Sequence, residues 1–285
     1  MTLSLNKNIG VLMICFNRPE EFKKSLDRVL LYNPKKIYIH IDGPRNENDK
    51  FQIEKIIKLI NSISFEFKIF RQTNNLGCKK GVQFALDWFF KKNNYGLIVE
   101  DDILISEKFV QMVNYSYKNH FNKIACGYSE LINSSGKLVL CDKLHVWGWS
   151  CSKNIYKMYN HELPSYFKIT SVLYKELGFS LIYFYYLFIL FVLKKGKIDT
   201  WDYQLQYSIF ENNIKVILPP FPLNKNLGFN SNATHTSNEP DSYLDYEIFK
   251  DKKVLFEFEK NRFKHSDFLK VKFIDLIYLS YKLFR

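Results

Sequence analysis

The amino-acid sequence predicts an α/β protein built on an open, mostly parallel sheet with helices on both faces. Apolar runs of strand length alternate with segments of helical period from Ile9 to Val99, the pattern of successive strand–helix–strand units. Three of those runs end on candidate functional groups: Asn17-Arg18, Asp42, and Glu100-Asp101-Asp102. Ligands of open α/β sheets bind beyond the carboxyl ends of the strands, so the position of these groups matters more than any one motif.

The elements follow in order. Ile9 to Phe16 is an apolar run stopped by Asn17-Arg18-Pro19, as expected of a buried parallel strand meeting a turn. Glu20 to Leu31 sets Phe22, Leu26, Val29 and Leu30 at helical spacing. Ile37 to Ile41 is a second strand closed by Asp42-Gly43-Pro44. Phe51 to Ile60 is a helix with Ile53, Ile56, Ile57 and Ile60 on one face. Phe65 to Phe70 is a third strand and Lys79 to Phe90 a helix, after which Gly96 to Val99 runs straight into Glu100-Asp101-Asp102. A further helix is expected to begin near Ser106.

The second half is less regular. His145-Val146-Trp147-Gly148-Trp149 and Lys197-Ile198-Asp199-Thr200-Trp201-Asp202 flank a long apolar stretch, and Leu218 to Pro222 is a rigid connector. Asn224 to Ser237 has the composition of a loop. The expected organisation is a catalytic domain over residues 1–245, with a nucleotide-binding half (1–105) and an acceptor half (106–245). Residues 246–285 are expected to form a basic helical extension.

Composition narrows the class. Hydrophobic residues make up 47% of 285, too many for a disordered chain. Five scattered cysteines without a C-x-x-C pair argue against a disulfide framework or zinc knuckle. Met1 to Gly10 lacks a secretion-signal pattern, so a cytoplasmic protein is expected. The net charge of +12 favours an anionic partner. No helix-turn-helix, zinc-finger or aromatic RNA-binding signature accompanies it, which makes nucleic acid the weaker choice.

Adjacent carboxylates at a strand end repel one another unless a cation sits between them. Glu100-Asp101-Asp102 therefore suits Mn²⁺ or Mg²⁺, whose shells are commonly completed by substrate phosphates. The alternative is an acidic cluster serving the dipole of the following helix. Arg18 suits a diphosphate and Asp42 a base or ribose, against ordinary loop polarity. Trp147, Gly148, Trp149 and Trp201 beside a carboxylate suit a sugar or acceptor pocket, though tryptophans are as often core residues. Asp202 is a candidate general base.

With these residues in view, the run from Val11 to about Ser237 resembles bacterial glycosyltransferases of the GT-A fold, relatives of the N-acetylglucosaminyltransferase I family. The matching pieces are Cys15-Phe16-Asn17-Arg18-Pro19, Ile41-Asp42-Gly43, Asn75-Leu76-Gly77-Cys78, Glu100-Asp101-Asp102, Trp147-Gly148-Trp149, Thr200-Trp201-Asp202-Tyr203-Gln204, Asn226-Leu227-Gly228 and Thr234-His235-Thr236. The resemblance implies that Arg18 and Asp42 hold the nucleotide, and that Glu100 and Asp101 contact base, ribose or sugar. Asp102 would be the direct ligand of a divalent metal on the diphosphate. Asp202 would be the base of an inverting transfer, and His235 would lie on a loop closing over the diphosphate. Tyr203 stands where that family has a second aspartate. The expected donor is a nucleotide-sugar, UDP-sugar first among them, and the expected acceptor a glycan or lipid-linked hydroxyl in bacterial surface polysaccharide synthesis. A sugar-phosphate nucleotidyltransferase is the enzyme rival, and a basic nucleic-acid-binding protein the non-enzyme rival.

Two segments bear on membranes. Leu181 to Leu193 is apolar but short of a bilayer span, so a core helix, a homo-oligomer contact or an interfacial helix remain. Phe263 to Arg285 has a basic amphipathic pattern that suits either an anionic membrane surface or packing on its own domain.

Overall fold

The computed structural model describes residues 3–130, 132–228 and 251–260. His235 and the segment Phe263 to Arg285 lie outside the described residues.

The first half alternates as its periodicity requires: β1 (Gly10–Cys15), α1 (Pro19–Leu30), β2 (Ile37–Ile41), α2 (Glu47–Ser62), β3 (Phe67–Arg71), α3 (Gly77–Phe90) and β4 (Tyr95–Glu100). Pro19 opens α1 at a position that needs no amide donor, and Asn46 caps α2 by accepting from the Asp49 amide. The second half adds β5 (Ile103–Leu104), α4 (Glu107–Asn119), β6 (Ile124–Cys126), β7 (Lys137–Cys141), β8 (Trp149–Ser152), α5 (Lys153–Tyr156), α6 (Tyr166–Leu177), α7 (Leu181–Lys194), α8 (Asp202–Glu211), β9 (Val216–Leu218), β10 (Lys225–Asn226) and β11 (Leu255–Phe258).

Nine strands form one mixed sheet in the order β11-β7-β9-β6-β8-β4-β1-β2-β3. Its β4-β1-β2-β3 half is parallel, and β8 enters antiparallel between β4 and β6. Successive side chains of a strand face opposite ways, and here both faces are covered. Val11, Met13 and Cys15 of β1, with Tyr95, Leu97 and Val99 of β4, pack under α1, α2 and α4. Leu12 and Ile98 point to the other face, against Leu86 and Phe89 of α3 and Leu205 and Ile209 of α8. That is why these strands read as continuous apolar runs rather than alternating ones.

A third apolar cluster joins α6, α7 and α8 through Ile169, Leu173, Tyr186, Leu190, Tyr207 and Phe210. Leu181 to Leu193 is thus a helix with one face in a core, and no helix among the described residues is long and apolar enough to cross a membrane. Within the stretch 246–285, expected to be helical, the described residues include a strand, β11, which pairs in parallel with β7, Leu255 opposite Lys137.

Candidate functional site

The parallel half of the sheet delivers its strand ends to one cleft. β1 ends at Cys15-Phe16, β2 at Asp42 and β4 at Glu100, and all of these line a cavity of ≈ 480 Å³ together with Arg18, Asp101, Asp102 and Trp147. Asn75, Gly77 and Cys78 at the start of α3, Asp199, and Asn226 and Gly228 after β10 complete the wall.

The acidic end is tied to the β1–α1 turn. The Asp101 side chain is buried; its Oδ2 accepts from the Phe16 amide at 3.2 Å and its Oδ1 from Arg18 Nη2. Arg18 Nη1 donates to Asp102 Oδ2 at 2.7 Å. Burial works against the charged guanidinium, but the charges of Asp101 and Asp102 outweigh it and hold Arg18 above its ordinary pKa. Burial, followed by the charges of Asp102 and Asp101, pushes the Glu100 carboxyl up. Asp101 is also raised by burial, against the pull of Arg18. The positive charge beside these carboxylates in the fold is Arg18 rather than the divalent ion expected from the sequence.

Asp42 performs a second, structural task. Its oxygens accept from the amides of Gly43 (2.8 Å), Leu76 (2.9 Å) and Gly77 (3.1 Å), and from Asn75 Nδ2 (3.0 Å). It thereby fixes the end of β2 to the start of α3 while still facing the cavity. The next two amides of α3, on Cys78 and Lys79, donate to Asp199 at 2.8 and 3.2 Å. Two carboxylates thus satisfy the open N-terminus of α3, whose own N-cap residue, Leu76, offers no side-chain acceptor.

A two-stranded strap crosses the acidic end. β5 pairs antiparallel with β10, Ile103 opposite Asn226, and the Leu227 amide donates to the Asp102 carbonyl at 2.8 Å. A Cβ at Gly228 would lie 2.4 Å from Asp102 Oδ2, so glycine lets the chain pass this carboxylate without displacing it. Behind the strap, buried Asn224 accepts from the Ser106 amide at 3.2 Å and donates to the Trp147 carbonyl at 2.9 Å.

The aromatic candidates separate. Trp147 lines the cavity, but Trp149 and Trp201 are 1% and 3% exposed and stack on each other in the core, 5.8 Å between centroids. Those two are core residues, because β8 and the start of α8 turn them onto the α3 face of the sheet. Gly148 lies at φ +75°, and its carbonyl accepts from the Gly127 amide. Asp202 is the first residue of α8 and accepts from Thr200 Oγ1. It is not among the residues that line the cavity, although its charge adds to burial in raising the Glu100 carboxyl and the Cys78 thiol. Sequence reasoning gave no role to His40 or Arg45 and kept Asp199 only as a substitute for Asp202, yet all three line the cavity with Phe16. Arg45 lies 4.7 Å over the Phe16 ring and pairs with Asp49 at 2.7 Å. The available signal was proximity: Arg45 follows the Asp42 turn, and Asp199 is three residues before Asp202. Burial raises the thiols of Cys15 and Cys78, so neither offers a ready thiolate.

A divalent metal must find hard oxygen donors here. No group of three or more His, Cys, Asp or Glu suited to a metal occurs among the described residues. Of the five acidic residues that line the cavity, Asp42 and Asp199 bind the amides at the start of α3 and Asp101 binds Arg18 and the Phe16 amide, which leaves Asp102, beneath Gly228, and the neighbouring Glu100 as the donors a metal would use. One or two carboxylates fit a Mn²⁺ or Mg²⁺ that arrives with a diphosphate, rather than a resident ion in an all-protein cage.

Fold and cleft together define an α/β protein with an acidic, arginine-bridged pocket at the carboxyl edge of a parallel half-sheet. No protein-family model matches the chain, and no curated protein matches it. Solved structures similar to it include GalNAc-T7 with UDP, GalNAc and Mn²⁺, at 10% identity and TM-score 0.48, covering 75% of this chain and 43% of that one. HddC from Yersinia pseudotuberculosis matches at 10% identity and TM-score 0.36, over 54% of this chain and 81% of that one. The inositol-1-phosphate CTP transferase from T. maritima matches at 9% identity and TM-score 0.42, over 74% and 85%. The chain thus spans less than half of the first of these.

Proposed function

We propose that the chain is a glycosyltransferase of the GT-A type that moves a sugar from a nucleotide-diphosphate-sugar to an acceptor hydroxyl. The supporting observation is convergence. Arg18, Asp42, Asn75, Gly77, Glu100, Asp101, Asp102, Trp147, Asn226 and Gly228 come from six separate stretches of sequence and line one cavity. In this reading the nucleotide lies along the β1 and β2 ends, between Phe16, Arg45 and Asp42, and the diphosphate lies at Asp102. A divalent cation held by Asp102 would neutralise the departing diphosphate. Arg18 holds the Asp101 and Asp102 side chains in place in the free protein, and can turn to phosphate when the cation takes its place.

In this reading the acceptor side takes Trp147 and Asp199 from the cavity wall and Asp202 from the start of α8. Both Asp199 oxygens are committed to the α3 amides, whereas Asp202 accepts from Thr200. Asp202 is accordingly assigned as the base that takes the proton from the attacking hydroxyl, with inversion at the anomeric carbon. His235 is assigned to the diphosphate side, on the chain that follows Gly228. The acceptor is assigned to the glycan or lipid-linked class, consistent with surface polysaccharide synthesis.

The test is direct. Nucleoside diphosphates and their sugars are screened by thermal shift with and without Mn²⁺, followed by identification of the released nucleotide. UDP or another nucleoside diphosphate should raise Tm only with the metal, and Asp102→Asn should abolish that shift while melting normally by itself. Release of nucleoside diphosphate supports glycosyl transfer, whereas pyrophosphate release would reassign the chain to nucleotidyl transfer.

A further inference from the structure

The helical hairpin α6–α7 carries a surface that its own fold does not use. Among the described residues thirteen large hydrophobic side chains are exposed, and seven lie between positions 166 and 191: Tyr166, Phe167, Tyr174, Phe179, Leu181, Phe184 and Phe191. Phe167 is 93% exposed, Phe179 75% and Leu181 74%. At the turn between the helices Phe179 packs on Tyr183 and Phe184, with centroids 5.8 and 4.9 Å apart, so these rings form one cluster. Along α7 the outward stripe is Leu181, Phe184, the half-buried Phe188 and Phe191, at alternating steps of three and four. A soluble helix ordinarily sets charged residues on that stripe. A contiguous apolar face of this kind marks a docking site.

Charge identifies the occupant. Positions 166–197 hold five lysines, Lys168, Lys175, Lys194, Lys195 and Lys197, against one acidic residue, Glu176. Lys168 is paired with Glu211 at 3.0 Å. Lys194 and Lys195 lie over the rings of Tyr166 and Phe191, at 5.4 and 5.6 Å. Protein interfaces are depleted of lysine, whereas exposed phenylalanines rimmed by lysines suit a bilayer surface. There the rings enter the acyl boundary and the ammonium groups reach up to anionic headgroups.

We propose that the α6–α7 hairpin docks the protein on an anionic lipid bilayer, lying on the surface without crossing it. The hairpin is joined to α8 by the Tyr185–Tyr203 hydroxyl contact at 2.8 Å and by Tyr207 Oη donating to the Tyr186 carbonyl at 2.6 Å. Docking would therefore hold Asp202, at the start of α8, near the headgroups. The docking surface does not depend on which reaction the cleft performs.

The full chain is incubated with vesicles of phosphatidylcholine alone or mixed with phosphatidylglycerol, and bound protein is recovered by flotation. Binding should require phosphatidylglycerol. Phe179→Trp should gain fluorescence that shifts to the blue on binding and is quenched by lipids with brominated acyl chains. Replacing Phe167, Phe179 and Leu181 together by serine should weaken partitioning by about tenfold or more, with an unchanged melt because all three are exposed. Lys175→Gln with Lys195→Gln and Lys197→Gln should reduce the phosphatidylglycerol preference. Absence of wild-type binding would overturn the proposal. So would binding without quenching at position 179, which would place the contact elsewhere in the chain. A triple-serine variant that binds as the wild type does, or that only changes oligomeric state, would make the face something other than a lipid surface.

Discussion

Two neighbouring carboxylates with a guanidinium between them, as Arg18 stands with Asp101 and Asp102, can be separated only at a cost, because Asp101 is buried and would lose a charged hydrogen-bond partner. Removing one member of a buried pair typically costs about 3–5 kcal/mol. Arg18 retains 22% side-chain exposure, which places the expected loss for Arg18→Met near the lower end, about 3 kcal/mol by urea denaturation. Mn²⁺ should then stabilise the variant more than the wild type, since it would supply the missing cation. A variant as stable as the parent would show the pair to be incidental. Asp202 calls for a kinetic measurement. Asp202→Asn should leave donor binding nearly unchanged and lower turnover by about 10²–10⁴-fold, the usual worth of a general base. Asp199→Asn should act differently, loosening the Cys78 and Lys79 amides and lowering thermal stability. If donor binding and turnover fall together in Asp202→Asn, the residue supports the loop beside Trp201. A retained anomeric configuration would remove the single-displacement scheme altogether.

Elements differ in how plainly the sequence announces them. β1, β2 and β4 are buried on both faces, so their apolar runs stand out, and Ile37–Ile41 matches the observed strand end to end. β6 and β9 have three residues each and find their partners far along the chain, too short for any period to show. β11 was hidden because Leu255-Phe256-Glu257-Phe258 has no apolar alternation long enough to separate it from its charged surroundings. The strap behind the acidic end depends on one polar residue that pattern reasoning does not single out, Asn224. Asn224→Ala would leave the Ser106 amide and the Trp147 carbonyl without their side-chain partner. Each buried group so exposed costs about 1–3 kcal/mol. The expected result is a loss of about 2–4 kcal/mol by denaturant titration, with weaker metal–nucleotide binding because β5 and β10 shift together. Unchanged binding at reduced stability would confine Asn224 to the core.

At the scale of the whole molecule, the placement of the cleft was readable because strand order in an open α/β sheet brings sequence-distant strand ends together. What was not readable was allocation: which polar groups face a ligand and which face each other. His40 illustrates this and gives a prediction for the fold as a whole. It sits in β2 with no exposure, between the Phe70 and Phe84 rings, and its Nδ1 has no hydrogen-bond partner. Burial lowers its pKa from 6.5 to about 4. The unfolded chain therefore binds a proton at His40 between about pH 6.5 and 4 that the folded chain does not, and stability falls as pH falls through that window. The difference corresponds to about 3 kcal/mol at the acid end. Glu100 and Asp101 act in the opposite sense: their raised folded pKa values make the folded state the tighter proton binder as acid is added, which favours it at low pH. The His40 contribution must therefore be read as a difference between two proteins. His40→Gln removes the titrating ring and keeps a polar group beside Gln72. Denaturant titrations of both proteins from pH 7 to pH 4 should show the wild type losing about 3 kcal/mol more than the variant, with most of the divergence below pH 6.5. Parallel curves would mean that His40 takes up its proton in the folded state, and that the β2 end of the cleft is open to water.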